Sequence, residues 1–131
     1  MAELEKVLLA YVAAWNESDE AKRRSFLEAS WADDGVYTDP MAEVVGREAL
    51  VQHIGQLLER FVDSRIILTS GVDEHHGKIR FTWARISPNG GQARGGIDFG
   101  ELGRDGRLAG ITGFFGPPAQ IPESWPEDFL R

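Results

Sequence analysis

Residues 95–116 read Gly-Gly-Ile-Asp-Phe-Gly-Glu-Leu-Gly-Arg-Asp-Gly-Arg-Leu-Ala-Gly-Ile-Thr-Gly-Phe-Phe-Gly. Arg104-Asp105-Gly106 is a turn signal at the centre, and the residues on either side alternate as those of strands do. Successive strand residues point to opposite faces, so Asp98 stands opposite Ile97 and Phe99 and shares its face with Gly96 and Gly100. A carboxylate between two glycines leaves unfilled volume around it, which is one way to build a pocket with a polar group in its wall. The second half carries a matching pattern, with Ile111, Gly113 and Phe115 on one face and Thr112 and Phe114 on the other. The alternative for Asp98 is a solvent-facing aspartate whose glycines serve only to bend the strand.

Working outward, turn signals at 73–77 and at Pro88-Asn89-Gly90-Gly91 divide the chain from Arg65 onward into four strands joined as a meander. Upstream the period is helical. Leu4, Leu8, Tyr11 and Trp15 fall on one face of a first helix ending near Asn16 to Asp19. Ser18 or Asp19 can cap a second helix, running through about Ser30, whose buried side is Phe26, Leu27 and Trp31. Gly35 to Pro40 reads as a short strand closed by a proline turn. A third helix follows Gly46, carries Leu50, Ile54, Leu57, Leu58 and Phe61, and ends near Asp63. Helices first and antiparallel strands after them make the chain α+β. With 131 residues and 42% hydrophobic content, 1–131 is expected to be a single domain with one core. Residues 117–131, with four prolines, form a C-terminal tail expected to pack across the domain or a partner subunit.

Composition excludes several classes. Without cysteine there is no disulfide framework, thiolate nucleophile or Cys-ligated zinc site, which fits a cytoplasmic protein. The first residues lack the basic and long apolar regions of a signal peptide, and no stretch approaches the roughly 18 apolar residues of a membrane helix. A formal net charge of -7 opposes nucleic-acid and anionic-membrane binding. His75 and His76 are adjacent in a turn, point apart and lack a carboxylate cluster at ligand spacing, so no metal site is expected. Arg80, Arg85 and Arg94 fall on strands, where most are solvated; one that reaches the pocket rim would prefer an anionic ligand.

Three segments together resemble ketosteroid isomerases of the NTF2-like superfamily. Tyr11-Val12-Ala13-Ala14-Trp15-Asn16 is similar to the helix that carries that family's oxyanion-hole tyrosine. Ala32-Asp33-Asp34-Gly35-Val36-Tyr37-Thr38-Asp39-Pro40 resembles the segment ending in its general-base aspartate. Ile97-Asp98 and Ile111 to Gly116 resemble the strand pair holding its protonated aspartic acid. The pattern of residues 32–40 and the Phe114-Phe115-Gly116 ending are also similar to SnoaL-like members of varied chemistry.

The resemblance implies a cone: three N-terminal helices packed on a strongly curved, mainly antiparallel sheet that encloses a pocket. It also implies the catalytic set Tyr11, Asp39 and Asp98, no cofactor, and a small hydrophobic carbonyl substrate. Asp39 would move a proton at the carbon alpha to the carbonyl while Tyr11 and a neutral Asp98 hold the oxygen. Each residue also has a structural reading: Asp39 as a turn opener before proline, Tyr11 as a core tyrosine with its hydroxyl satisfied. The expected pocket lining is Trp15, His53, Ile54, Trp83, Ile111 and Phe115. His53 is either a pocket group or an ordinary helical histidine. Ile54 stands where the isomerases keep a tyrosine bonded to the oxyanion tyrosine, and the bulk of Trp15 favours a ligand smaller than a steroid. Ile97, Phe99 and Phe114, on the opposite sheet face, are expected to be covered in a homodimer. The alternatives are a non-catalytic small-molecule-binding protein, or cyclase or hydrolase chemistry in the same pocket.

Overall fold

In the computed structural model, which describes residues 1–130, the first apolar stripe forms α1 (Glu3–Ala14) and buries Leu8, Tyr11 and Ala14. Glu3 and Glu5 lie in its first turn, where negative charge complements the helix dipole. Asn16, just beyond it, donates its amide to Ile66 O at 2.9 Å and accepts from Ile66 N at 2.7 Å. α1 is thereby tied to an edge strand. Asp19 starts α2 (Glu20–Ser30) by accepting the Lys22 amide at 3.0 Å. α3 (Arg47–Arg60) buries Leu50, Val51 and Ile54. Arg23 fastens α2 to α3 and to the loop that follows α1. Only 4% exposed, it donates to the carbonyls of Glu17, Ser18 and Val51, and Gly55 on α3 leaves room for its guanidinium. Among the described residues no helix is long and apolar enough to cross a membrane.

The strands are β1 (Trp31–Asp39), β2 (Ala42–Val45), β3 (Arg65–Leu68), β4 (Asp73–His75), β5 (Lys78–Ile86), β6 (Gln92–Leu102) and β7 (Leu108–Phe115). They form one sheet in the order β2-β1-β7-β6-β5-β3, with β4 also paired to β5. Among the described residues only β1 and β7 pair in parallel. Register shifts interrupt the β1–β7, β5–β6 and β6–β7 pairings, as in sheets that curve strongly. The helices cover the inner face, where Tyr11, Leu27, Trp31, Tyr37, Ile54, Phe81 and Ile111 belong to one core.

Two cross-strand rows on that face carry the site. One runs Phe81, Asp98, Gly113, and the next runs Trp83, Gly96, Phe115. Tyr37 pairs with Ile111 and Thr38 with Thr112, which brings Asp39 level with Gly113. A Cβ at Gly113 would lie 2.6 Å from Asp98 Oδ1 and 3.7 Å from Asp39 Cβ, so the two carboxylates flank that glycine from adjacent strands.

Several sequence expectations change. Trp31 is buried as expected and its amide caps α2 on Leu27 O, but it also opens β1, beneath Gly35, whose Cβ would come within 2.5 Å of Trp31 Nε1. The segment after Asp39 is not only a turn, because Pro40-Met41 joins β1 to β2, with Asp39 paired to Ala42. Residues 73–77 contain β4 and a two-residue turn in which His76 and Gly77 both have positive φ (52° and 75°), so five strands follow Arg65 rather than four. α3 stops at Arg60, with Phe61 as its cap. Of the apolar residues in the described part of the tail, Ile121, Trp125 and Phe129 are exposed and Leu130 is half-buried, and the tail has one short turn of helix at Glu127–Phe129; Arg131 lies outside the described residues.

Candidate active site

The glycines beside Asp98 do not leave a hollow. A Cβ at Gly100 would meet Ile111 Cδ1 at 2.8 Å and Ile79 Cγ1 at 2.9 Å, and one at Gly96 would meet Trp83 Cζ2 at 2.8 Å. The vacated volume is thus used by neighbours. Its chemical consequence lies at Trp83, whose indole crosses Gly96 and donates from Nε1 to Asp98 Oδ1 at 3.0 Å. Ile111 packs in the core beside Gly100 and does not line either cavity described below, because the glycine invites its side chain sideways.

The hollow lies between the sheet and the helices, its inner part under α1 and its outer part beside the end of α3. An inner cavity of about 50 Å³ is bounded by Tyr11, Trp15, Tyr37, Phe81, Trp83 and Asp98, among others. An outer cavity of about 170 Å³ is bounded by residues that include Met41, Ile54, Phe61, Arg85, Arg94 and Phe115. Trp15, Ile66 and Trp83 line both, so they form the neck between two chambers. Of the expected lining, Trp15, Trp83, Ile54 and Phe115 are found there. His53 stands behind the wall, its ring 6.3 Å from Trp15 and 6.0 Å from Tyr37. Its Nε2 is buried without a partner, and burial lowers its pKa against the opposing pull of Asp39.

Asp98 is 6% exposed. Burial raises its pKa from 3.8 to about 6, the Trp83 hydrogen bond opposes the rise, and the charge of Asp39 adds to it. Asp98 thus keeps its proton to a higher pH than a free aspartate does. Tyr11 is 2% exposed, and among the described residues its hydroxyl makes no hydrogen bond of ordinary geometry. Burial first, and the charge of Asp98 second, raise its pKa well above that of a free tyrosine, against the lowering effect of the Trp15 indole beside it, so it stays a neutral donor. A buried hydroxyl left unbonded is rare because it forfeits its hydration, and this one borders a cavity.

Asp39 does not line either cavity; both its oxygens are engaged. Tyr37 donates to Oδ2 at 2.6 Å and the Met41 amide to Oδ1 at 2.8 Å. Tyr37 lines the inner cavity and Met41 the outer, which sets the carboxylate at their boundary. Burial and the nearby acidic groups raise the Tyr37 pKa, so it too remains a donor. Tyr37 was not among the residues expected at the site. The signal was present, since Tyr37 and Asp39 are two apart on one strand and share a face.

A SnoaL-like domain model matches residues 8–111 of this sequence, a span holding Tyr11, Asp39 and Asp98. The chain belongs to the SnoaL-like family. A similar solved structure is that of a protein from Agrobacterium tumefaciens strain C58, provisionally described as an isomerase of the SnoaL-like family. It is 32% identical, with a TM-score of 0.82 over 89% of this chain and 100% of that one. A protein from Jannaschia sp. CCS1, provisionally described as a SnoaL-like polyketide cyclase, is 14% identical with a TM-score of 0.66 over 86% and 84% of the two chains. An NTF2-like protein of unknown function from Cytophaga hutchinsonii is 12% identical, with a TM-score of 0.64 over 87% and 90%. The last two are alike in fold alone. No curated protein matches the chain. The expected α+β cone is therefore the SnoaL-like, NTF2-like fold, and the site just described occupies its interior.

Proposed function

We propose that this SnoaL-like protein is a cofactor-free acid/base enzyme, of ketosteroid isomerase-like type, that moves a proton alpha to the carbonyl of a small hydrophobic compound. The observation that carries this reading is the convergence on one cavity of an unpartnered, buried Tyr11 hydroxyl and a buried Asp98 with elevated pKa. A carbonyl oxygen entering the inner cavity meets both donors once Asp98 is protonated, and a ligand that excludes water there favours that protonation further. Asp39 removes a proton from the alpha carbon, the C–H pair becomes the new C=C, and the C=O π pair moves onto the oxygen held by Tyr11 and Asp98. Return of the proton from Asp39 to another carbon completes an isomerisation. Tyr37, bonded to Asp39, positions the base. The neck at Trp15 and the small chambers favour a compact substrate over a steroid. Two copies associate through the sheet face that bears Phe99 and Phe114.

A second reading is favoured by a specific observation: with both Asp39 oxygens engaged, the chain has the form of a ligand holder without turnover. Proton-deuteron exchange at the alpha carbon of compact cyclic enones, followed by NMR in D₂O, separates the two without knowledge of the product. The enzyme reading expects exchange above the buffer rate that drops by about 10²-fold or more in Asp39→Asn, with enone binding retained. Binding without exchange in the unsubstituted protein would establish the holder instead.

A further inference from the structure

The outer cavity is lined by four arginines, Arg60, Arg65, Arg85 and Arg94, and by no aspartate or glutamate. None of the four belongs to an ion pair among the described residues. This concentration of positive charge occurs in a chain of net charge -7. Arg85 and Arg94 are direct cross-strand partners of β5 and β6, an arrangement that like charges disfavour. The Arg85 guanidinium carbon lies 3.7 Å from the centroid of the Phe61 ring and that of Arg94 4.4 Å from the Phe115 ring. Stacking of this kind occupies the face of a guanidinium and leaves its N–H edges for an acceptor. Arg85 Nε is nonetheless buried with no acceptor. Burial, together with Arg94 and Arg60, lowers the Arg85 pKa, the signature of a cation held without its counter-charge.

The pocket is polarised along its length. Asp98 lies at the inner end with Asp39 beside it, the arginines line the outer end, and Trp15 and Trp83 stand at the neck between them. An anion would be repelled from the inner chamber and held in the outer one. We infer that the ligand is an amphipathic carbonyl acid, whose carboxylate sits between Arg85 and Arg94 while its carbonyl end passes the neck to Tyr11 and Asp98. The planar carboxylate matches the forked guanidinium edge, and the apolar wall from Ile54 to Phe115 takes the carbon body. This inference rests on the carbonyl-directed reading of the inner chamber and adds the substrate's charge and direction of entry.

Calorimetric titration of the full chain with 4-oxo-4-phenylbutanoate and with its uncharged primary amide tests it, because the pair differs in charge at nearly constant shape. The acid is expected to bind about ten-fold tighter than the amide, with the margin shrinking as salt rises. In Arg85→Gln/Arg94→Gln the acid should fall to the affinity of the amide, with an unchanged urea unfolding midpoint reporting that the fold is kept. Equal affinities in the unsubstituted protein, binding of neither compound, or a preference that survives the double substitution would overturn the inference. Phenyl phosphate binding more tightly than the acid would overturn the choice of carboxylate. Alpha-proton exchange measured on the same acid keeps the two proposals apart: charge preference without exchange removes the catalytic reading alone, and exchange without charge preference removes this one.

Discussion

At the scale of single residues, the site depends on how little solvent reaches Asp98. Its pKa is raised from 3.8 to about 6, mainly by burial. The folded state therefore binds the proton more tightly than the unfolded chain, and the penalty for burying the carboxylate is absent below about pH 4 and complete above about pH 6. The shift corresponds to about 3 kcal/mol. Asp98→Asn keeps an acceptor for Trp83 Nε1 and removes the charge. It is expected to stabilise the protein by up to that amount at pH 8, with the gain fading toward pH 4; urea unfolding at the two pH values measures it, and a pH-independent difference would contradict the assigned burial. Tyr11 and Asp98 were legible because helical spacing and strand alternation fix a side chain's face. The role of Trp83 was not, since it depends on the register of a neighbouring strand and on the room above Gly96. Tyr37 shares the face of Asp39 by alternation, but a strand tyrosine reads equally as a core residue, and only its bond to Asp39 gives it a place in the site.

Among the elements, the helices are held in place by polar contacts as well as by the apolar stripe. Gly55 lies inside α3, where alanine would ordinarily gain about 1 kcal/mol in helix propensity. Here its Cβ would come within 2.7 Å of Arg23 Nη1, and Arg23 is held by three carbonyls. The clash outweighs the propensity, so Gly55→Ala is expected to destabilise by about 1–2 kcal/mol. In an Arg23→Met background the sign should reverse, and a double-mutant cycle by urea titration checks both. The long helices and strands were readable from their periods. β4 was not, because Asp73, Glu74 and His75 are all exposed and carry no apolar alternation; backbone pairing to β5 alone makes them a strand. β2 escaped for a related reason: after Asp39-Pro40 the sequence reads as a turn, and only four residues return alongside β1.

For the whole molecule, the two faces of the sheet divide the work. The inner face, under the helices, holds the polarised pocket. The outer face presents Phe99 at 44% and Phe114 at 56% exposure, edge to face with centroids 6.2 Å apart. Apolar side chains placed in this way on a sheet favour a partner surface. The proposed homodimer should sediment at twice the chain mass at micromolar concentration, and Phe99→Asp/Phe114→Asp should reduce it to a monomer that keeps the fold; a monomeric unsubstituted protein would rule the dimer out. The architecture could be read from the order of periods, helical before residue 65 and alternating after it, whereas the parallel pairing of β1 with β7 inside the sheet could not, since those strands lie far apart in sequence. The central claim is that a carbonyl oxygen is held by Tyr11 and Asp98 within reach of Asp39, and alpha-proton exchange in Tyr11→Phe compared with the unsubstituted protein tests it most directly. Removing one donor of such a pair should slow exchange by about 10²–10³-fold with little change in ligand affinity; exchange that is unaffected by the loss of the Tyr11 hydroxyl would contradict the account.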